Sequence, residues 1–430
     1  MAAVLQLAQG RKASQLGGPA ECLARQRGAA HDPGMDPALT AQGLLPLFTP
    51  DFYRNPYPAY SALRRRDPVH WDETHQLWVM TRYADVAAAL VNPALVRGGG
   101  EVTVETDDPL HKVLTRMMLF SEPPRHTRLR SLANRAFTPR RVEGMRPRIQ
   151  AIVEELFEGI GGRHELDLIA DLAYPLPVIV VSELLSLPRA DMDRFKRWSD
   201  DVIAYSAGAL HMAEQARTSV DALLAYFKEL VGRLRSRPDG TIMSALVEAE
   251  SEGSRLDEEE LLANAVLLLM NGHETTTDTI ANGVLALLQN PDQLAKLRAH
   301  PALIVSATEE MMRYDGAVQL RGVGAAQTVT VRGKEIAPGQ TVYMVVGAAN
   351  RDPEQFVEPD HFDIERSPNR HVEFGSGIHF CIGAALARAE TQIAISSLVA
   401  RWPNLELGSN QLEWKSIPVF RGLKSLPVRV

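Results

Sequence analysis

Cysteine is nearly absent from this chain. Only Cys22 and Cys381 occur among 430 residues, too few for a disulfide scaffold and consistent with a reducing compartment. Long apolar runs are missing too: Leu172 to Val181 reaches ten residues and carries prolines, far short of the ~20 needed to cross a bilayer. No membrane span is expected. Positive charge is not in excess, since 46 Lys and Arg face 53 Asp and Glu for a formal charge of −7, which argues against nucleic-acid binding by the chain as a whole. A secretory signal is lacking, because the short apolar stretch Ala2 to Leu7 precedes the Arg11-Lys12 pair and no long apolar segment follows; a cytoplasmic location is the expectation. No repeat of roughly 20 to 50 residues and no interior low-complexity linker is found.

What remains is the composition of a globular protein, 45% hydrophobic and 23% charged. Residues 1–45 are rich in Ala, Gly, Gln and Arg without sustained period and include a second methionine, Met35. They read as a mobile or dispensable head, and residues 46–430 as one domain. Val69 to Asp72 and Leu77 to Thr81 alternate around Asp72-Glu73-Thr74-His75, as a hairpin does. Val142 to Phe157, Asp191 to Ala207, Met212 to Leu234 and Leu294 to Tyr314 place apolar residues at helical spacing. Thr328 to Ala348 reads as a second strand region, with turns at Arg332-Gly333 and Pro338-Gly339. Helices outnumber strands, so the fold class is mainly α with small β-sheets (α+β).

The longest helical pattern runs from Asp257, with Glu260 placed for a capping box, to about Gln289, where Asn290-Pro291 stops it. Those 33 residues would span ~50 Å. Both faces are largely apolar, which predicts a helix through the middle of the molecule. Asn271-Gly272-His273-Glu274-Thr275-Thr276 is poor helix material inside it and predicts an interruption.

Cys381 follows Phe374-Gly375-Ser376-Gly377-Ile378-His379-Phe380 and precedes Ile382-Gly383 and a helical pattern. A cysteine at a helix start is biased toward thiolate by the dipole and free N–H groups, and Gly375, Gly377 and Gly383 would let amides approach the sulfur. Nucleophilic work would want a complete histidine relay, of which only His379 is near. A structural zinc site would need further close ligands, and none exist. One thiolate suits haem iron, which needs a single protein ligand; a merely buried cysteine is the plain alternative.

At this point the sequence resembles the cytochrome P-450 superfamily, of the soluble bacterial type, from about Leu47 to the C-terminus. Phe374 to Gly383 is similar to the haem-binding loop. Glu310-Met311-Met312-Arg313 resembles the family's Glu-x-x-Arg pair, which with Arg366 would form a buried charge network. Pro124 to Arg130 resembles the helix whose His126 and Arg130 contact haem propionates, and Asn271 to Thr276 resembles the oxygen-binding groove.

The resemblance implies haem b (iron protoporphyrin IX) held by Cys381, with Phe374, Gly375, His126, Arg130 and His379 around it. It also implies proton delivery by Thr275 with Glu274. The expected activity is a haem-dependent monooxygenase hydroxylating or epoxidising a lipophilic small molecule such as a polyketide or terpenoid. Dioxygen is the co-substrate, and electrons from NAD(P)H arrive through ferredoxin reductase and ferredoxin. Oxidative coupling or multi-step oxidation on the same haem is the alternative, and a haem-free partner protein the remote one. Pocket candidates are Leu95 to Phe120, Ile203 to Met212, Gly316 to Leu320 and Pro418 to Phe420. Two positions depart from the family. Asn271 stands where a small residue is common, and it is expected to bond the distal water, the substrate or a helix carbonyl. A propionate-binding arginine is replaced by Val323, with Arg321 on the same side of an extended segment able to substitute.

Overall fold

The computed structural model describes residues 50–97, 108–206, 209–248, 250–251, 254–255 and 257–430. The expected head, with Cys22 and Met35, lies outside them, as do 98–107 and 207–208 of two expected pocket segments.

The long helix forms as its caps dictate. Asp257 accepts from the Glu260 amide at 2.7 Å while Glu260 accepts from the Asp257 amide at 3.4 Å, and the helix spans Glu258–Gln289 before Asn290 and Pro291 end it. It is buried along nearly its whole length and packs on helices Pro175–Leu184, Ile304–Asp315 and Ala384–Arg401. The interruption expected at Asn271 to Thr276 does not occur: the helix is continuous there. Tertiary packing overrides the weak local propensity. A Cβ on Gly272 would stand 2.7 Å from Val181 Cγ2, so the missing side chain permits the close approach of the Pro175–Leu184 helix.

The expected hairpin is present as Val69–Asp72 antiparallel to Leu77–Met80. Leu77–Met80 also pairs in parallel with Thr341–Val345, which pairs with Leu320–Ala325 and so builds a five-stranded sheet ending at Leu95–Val96. Leu320–Ala325, expected only as an extended segment outside the Thr328 to Ala348 strand region, is a central strand, and its residues are buried almost throughout. Val329–Val331 and Lys334–Ile336 turn through Arg332 and Gly333, both at positive φ. The pattern read as one helix over Leu294 to Tyr314 is two, Pro291–Ala299 and Ile304–Asp315, divided at His300-Pro301, because proline supplies no amide for the ladder. Among the described residues no helix is long and apolar enough to cross a membrane.

Candidate active site

Between the central helix and the cysteine loop lies an internal cavity of about 270 Å³. All four expected pocket segments reach it, through Arg97, Ile203, Val318 and Phe420 among others, and the Pro175–Leu184 helix adds Val181 and Leu184, which the sequence did not single out.

Cys381 lines the cavity. Its amide bonds Phe374 O at 3.0 Å and closes the loop, and the Phe374 ring is packed under the Arg388 guanidinium at 4.4 Å. The sulfur does not sit at the first helical turn: the cap of Ala384–Arg401 is Gly383, two residues later. Burial pushes the thiol up, while the Gly383 amide and the charges of Arg321, Arg130 and Arg388 pull the other way. Thiolate is therefore not the resting outcome of the protein field alone. Of the three glycines only Gly383 stands by the sulfur, at 4.0 Å from a built Cβ. Gly375 and Gly377 take positive φ to turn the chain beside Arg321 and Leu90. Gly375 does not line the cavity.

On the opposite wall Asn271, Glu274 and Thr275 line the cavity. The Thr275 hydroxyl reaches back to Asn271 O at 3.4 Å, and Asn271 Nδ2 donates to Leu267 O at 3.0 Å. Of the three partners expected for Asn271, the protein supplies the helix carbonyl. Glu274 turns to Lys415, at 2.6 Å, which also holds Asp278 at 2.8 Å. Burial would raise Glu274, but the Lys415 charge keeps it below its ordinary range. Asp278 is pushed up to about 7, first by burial. Neither Lys415 nor Asp278 was singled out from the sequence, since their partners lie 141 and 137 positions apart. A second carboxylate one turn beyond Glu274 in an apolar helix was the available signal.

At the cavity's edge basic groups converge. His126 and Arg130 lie on the helix Arg125–Ala136, and the His126 and His379 rings stand 4.3 Å apart. Burial, then the charges of His379 and Arg130, holds His126 down at about 4. Arg130 donates to Phe380 O at 2.6 Å and to Asn134. Arg321 donates to Glu373 O at 2.7 Å and lines the cavity, whereas Val323 is packed in a separate apolar core. Arg97, which no motif marks, is buried and lowered to about 9 by desolvation and by Arg321. Arg97 Nη1 and Arg321 Nε are buried without a hydrogen-bond partner among the described residues, while His379 Nε2 faces Glu122 Oε1 at 3.8 Å. Buried N–H groups call for acceptors. Two carboxylates on one macrocycle would supply them, so this donor set, facing Cys381, fits a haem.

Behind the loop the Glu-x-x-Arg pair is closed. Arg313 grips both Glu310 oxygens at 2.7 and 2.8 Å, and Arg366, Asn369 and the Asp363 amide complete the carboxylate.

A sequence model of the family "Cytochrome P450" matches residues 178–409. The chain is 42% identical to Cytochrome P450 107B1 of Saccharopolyspora erythraea, over 86% of this chain and 93% of that protein. It is also 42% identical to Cytochrome P450 monooxygenase PikC of Streptomyces venezuelae, over 88% and 92%. The solved structure of P450BioI in complex with a hexadec-9Z-enoic acid ligated acyl carrier protein superposes with a TM-score of 0.83 at 37% identity, covering 88% of this chain and 99% of that one.

Proposed function

This chain belongs to the cytochrome P450 superfamily and is a haem-iron monooxygenase, and from that premise we propose that it hydroxylates or epoxidises a lipophilic secondary metabolite of polyketide or terpenoid type. The observation that carries the reading is the juxtaposition of Cys381, unpaired buried donors and an apolar wall on one cavity. Polyketide biosynthesis cytochrome P450 PksS of Bacillus subtilis, 36% identical over 88% of this chain, supports the polyketide class. The cofactor is haem b, the electron donors a ferredoxin and its reductase, and the compartment the cytoplasm.

When bound, the haem iron supplies dioxygen activation, which thiolate donation from Cys381 favours by promoting O–O cleavage. Arg97, Arg130, Arg321, His126 and His379 would hold the propionates through charge-assisted hydrogen bonds. Val181, Leu184, Ile203, Val419 and Phe420 bind the apolar substrate and exclude water. The Thr275 hydroxyl moves a proton from Oγ1 into the cavity, and Glu274 reloads it through water. A screen of polyketides, terpenoids and fatty acids, read by the shift of the haem absorbance, tests the substrate class. Polyketides or terpenoids binding more tightly than fatty acids is the expected result, and a preference for polar ligands overturns the proposal.

A further inference from the structure

Asp278 is fully buried, sits one helical turn from Glu274 and does not touch the cavity, so the proton path just described makes no use of it. It is nonetheless built in on purpose by its neighbours. A Cβ on Gly422 would collide with Asp278 Oδ1, so the C-terminal hairpin that pairs Trp414 with Leu423 can close over this carboxylate only with glycine there. The same hairpin delivers Lys415, whose amide bonds Gly422 O at 2.9 Å. The ammonium is shared: 2.6 Å to Glu274 Oε1 and 2.8 Å to Asp278 Oδ1, while Asp278 Oδ2 is buried without a partner among the described residues.

We propose that Asp278 is the proton reserve for Glu274 and that Lys415 is the positioning residue that transfers between them; this rests on Thr275 and Glu274 delivering protons to the cavity. One ammonium cannot neutralise two buried carboxylates, so one of the acids keeps a proton near neutral pH. The more deeply buried Asp278 is the holder, in line with its value of about 7. Lys415 gives one N–H proton to Glu274 and takes the Asp278 proton in return. The lysine remains a cation, Asp278 becomes the carboxylate that keeps it paired, and Glu274, now neutral, is free to turn toward Thr275. Lys415 keeps 19% of its side chain exposed, which is the route by which Asp278 is refilled.

Other titratable groups face Glu274: His273, whose Nε2 is buried without a partner among the described residues, and Asp200 of the helix Met192–Ser206 lie within 4.8 Å of it. From the helix Met192–Ser206, Lys196 pairs with Asp200 at 2.5 Å and stands over the Tyr174 ring. On the central helix, the His273 Nδ1 contacts Leu269 O at 2.8 Å. Behind it, Asp315 is taken by Arg421 at 2.6 Å. None of these bonds Asp278, whose side-chain partner is Lys415.

Infrared difference spectra of the ferric holoenzyme, titrated from about pH 5 to 9, should show a buried carboxylic C=O band that disappears near pH 7. In Glu274→Gln, where Lys415 is left to Asp278 alone, the band should disappear at lower pH than in the wild type, and it should be absent in Asp278→Asn. Asp278→Asn should bind haem and substrate as the wild type does, yet lose product per NAD(P)H several-fold to peroxide, with the pH dependence above neutrality flattened. Lys415→Gln should do the same, and Lys415→Arg, whose guanidinium keeps the charge but does not give up a proton, should leave the coupling low; full coupling in Lys415→Arg would overturn the relay. The proposal is overturned if the wild type shows no such band, or if Asp278→Asn keeps the band or full coupling. Should Asp278→Asn not fold, the wild-type and Glu274→Gln titrations decide. Failure of the delivery reading looks different: Glu274→Gln would then couple normally.

Discussion

Two buried charge clusters flank the cavity, and they are wired in opposite ways. Behind the cysteine loop, Glu310 meets Arg313, Arg366, Asn369 and a backbone amide, and each oxygen accepts more than one hydrogen bond. Across the cavity, Glu274 and Asp278 divide one lysine and leave Asp278 Oδ2 unpaired. A saturated cluster has one arrangement and serves the fold. An undersupplied one leaves a proton to be placed on one acid or the other and can move it between them. Burial alone does not distinguish the two; the count of partners does.

The largest effect is expected from breaking the saturated cluster. Arg313→Ala leaves Glu310 buried beside a single arginine and should cost about 3–5 kcal/mol, seen as a lowered urea midpoint with loss of haem. A loss under ~1 kcal/mol would mean that this cluster too can rearrange. Arg97→Leu should weaken haem retention by about 1.5–3 kcal/mol, the worth of a hydrogen bond to a charged group, measured as haem transfer to an acceptor protein. Unchanged transfer would remove Arg97 from the propionate site. Thr275→Ala should leave folding intact while product per NAD(P)H falls roughly ten-fold.

The fold and half of the site were legible in the sequence because they obey local rules. Asp257 with Glu260, Asn290-Pro291, the Phe374 to Cys381 loop and the Glu310–Arg313 spacing each carry their meaning within a few residues. Arg97, Lys415 and Asp278 do not: Arg97 matters through the burial of its guanidinium beside Arg321, and Lys415 is more than 130 positions from both of its partners. The expected break at Asn271 to Thr276 failed for a related reason, since Gly272 answers to Val181 rather than to its own turn.

The two sides of the cavity should also differ in the sign of their pH dependence. Asp278 is raised from 3.8 to about 7, so its contribution is complete below pH 3.8 and is lost as pH rises through about 7. Glu309, beside the cysteine loop, is opposite. Burial pushes its carboxyl up, but Arg388 and His371 more than offset this and hold it at about 2 from 4.5, so its contribution is present above pH 4.5 and is lost as pH falls through about 2. Urea midpoints against pH should lose the neutral-side decline in Asp278→Asn and the acid-side decline in Glu309→Gln. Identical profiles in both variants would erase the distinction. The smallest effect belongs to Asn271→Ala, which gives up one bond to Leu267 O and should cost about 0.5–1.5 kcal/mol with regiochemistry unchanged; altered regiochemistry would instead assign the amide to the substrate.

The central claim, that Cys381 is the sole protein ligand to the iron, is tested most directly by the absorbance of the reduced protein under carbon monoxide. The wild type should give the strongly red-shifted Soret band of a thiolate-ligated haem, and Cys381→His should lose that band while still binding haem. Persistence of the band in Cys381→His would contradict the account.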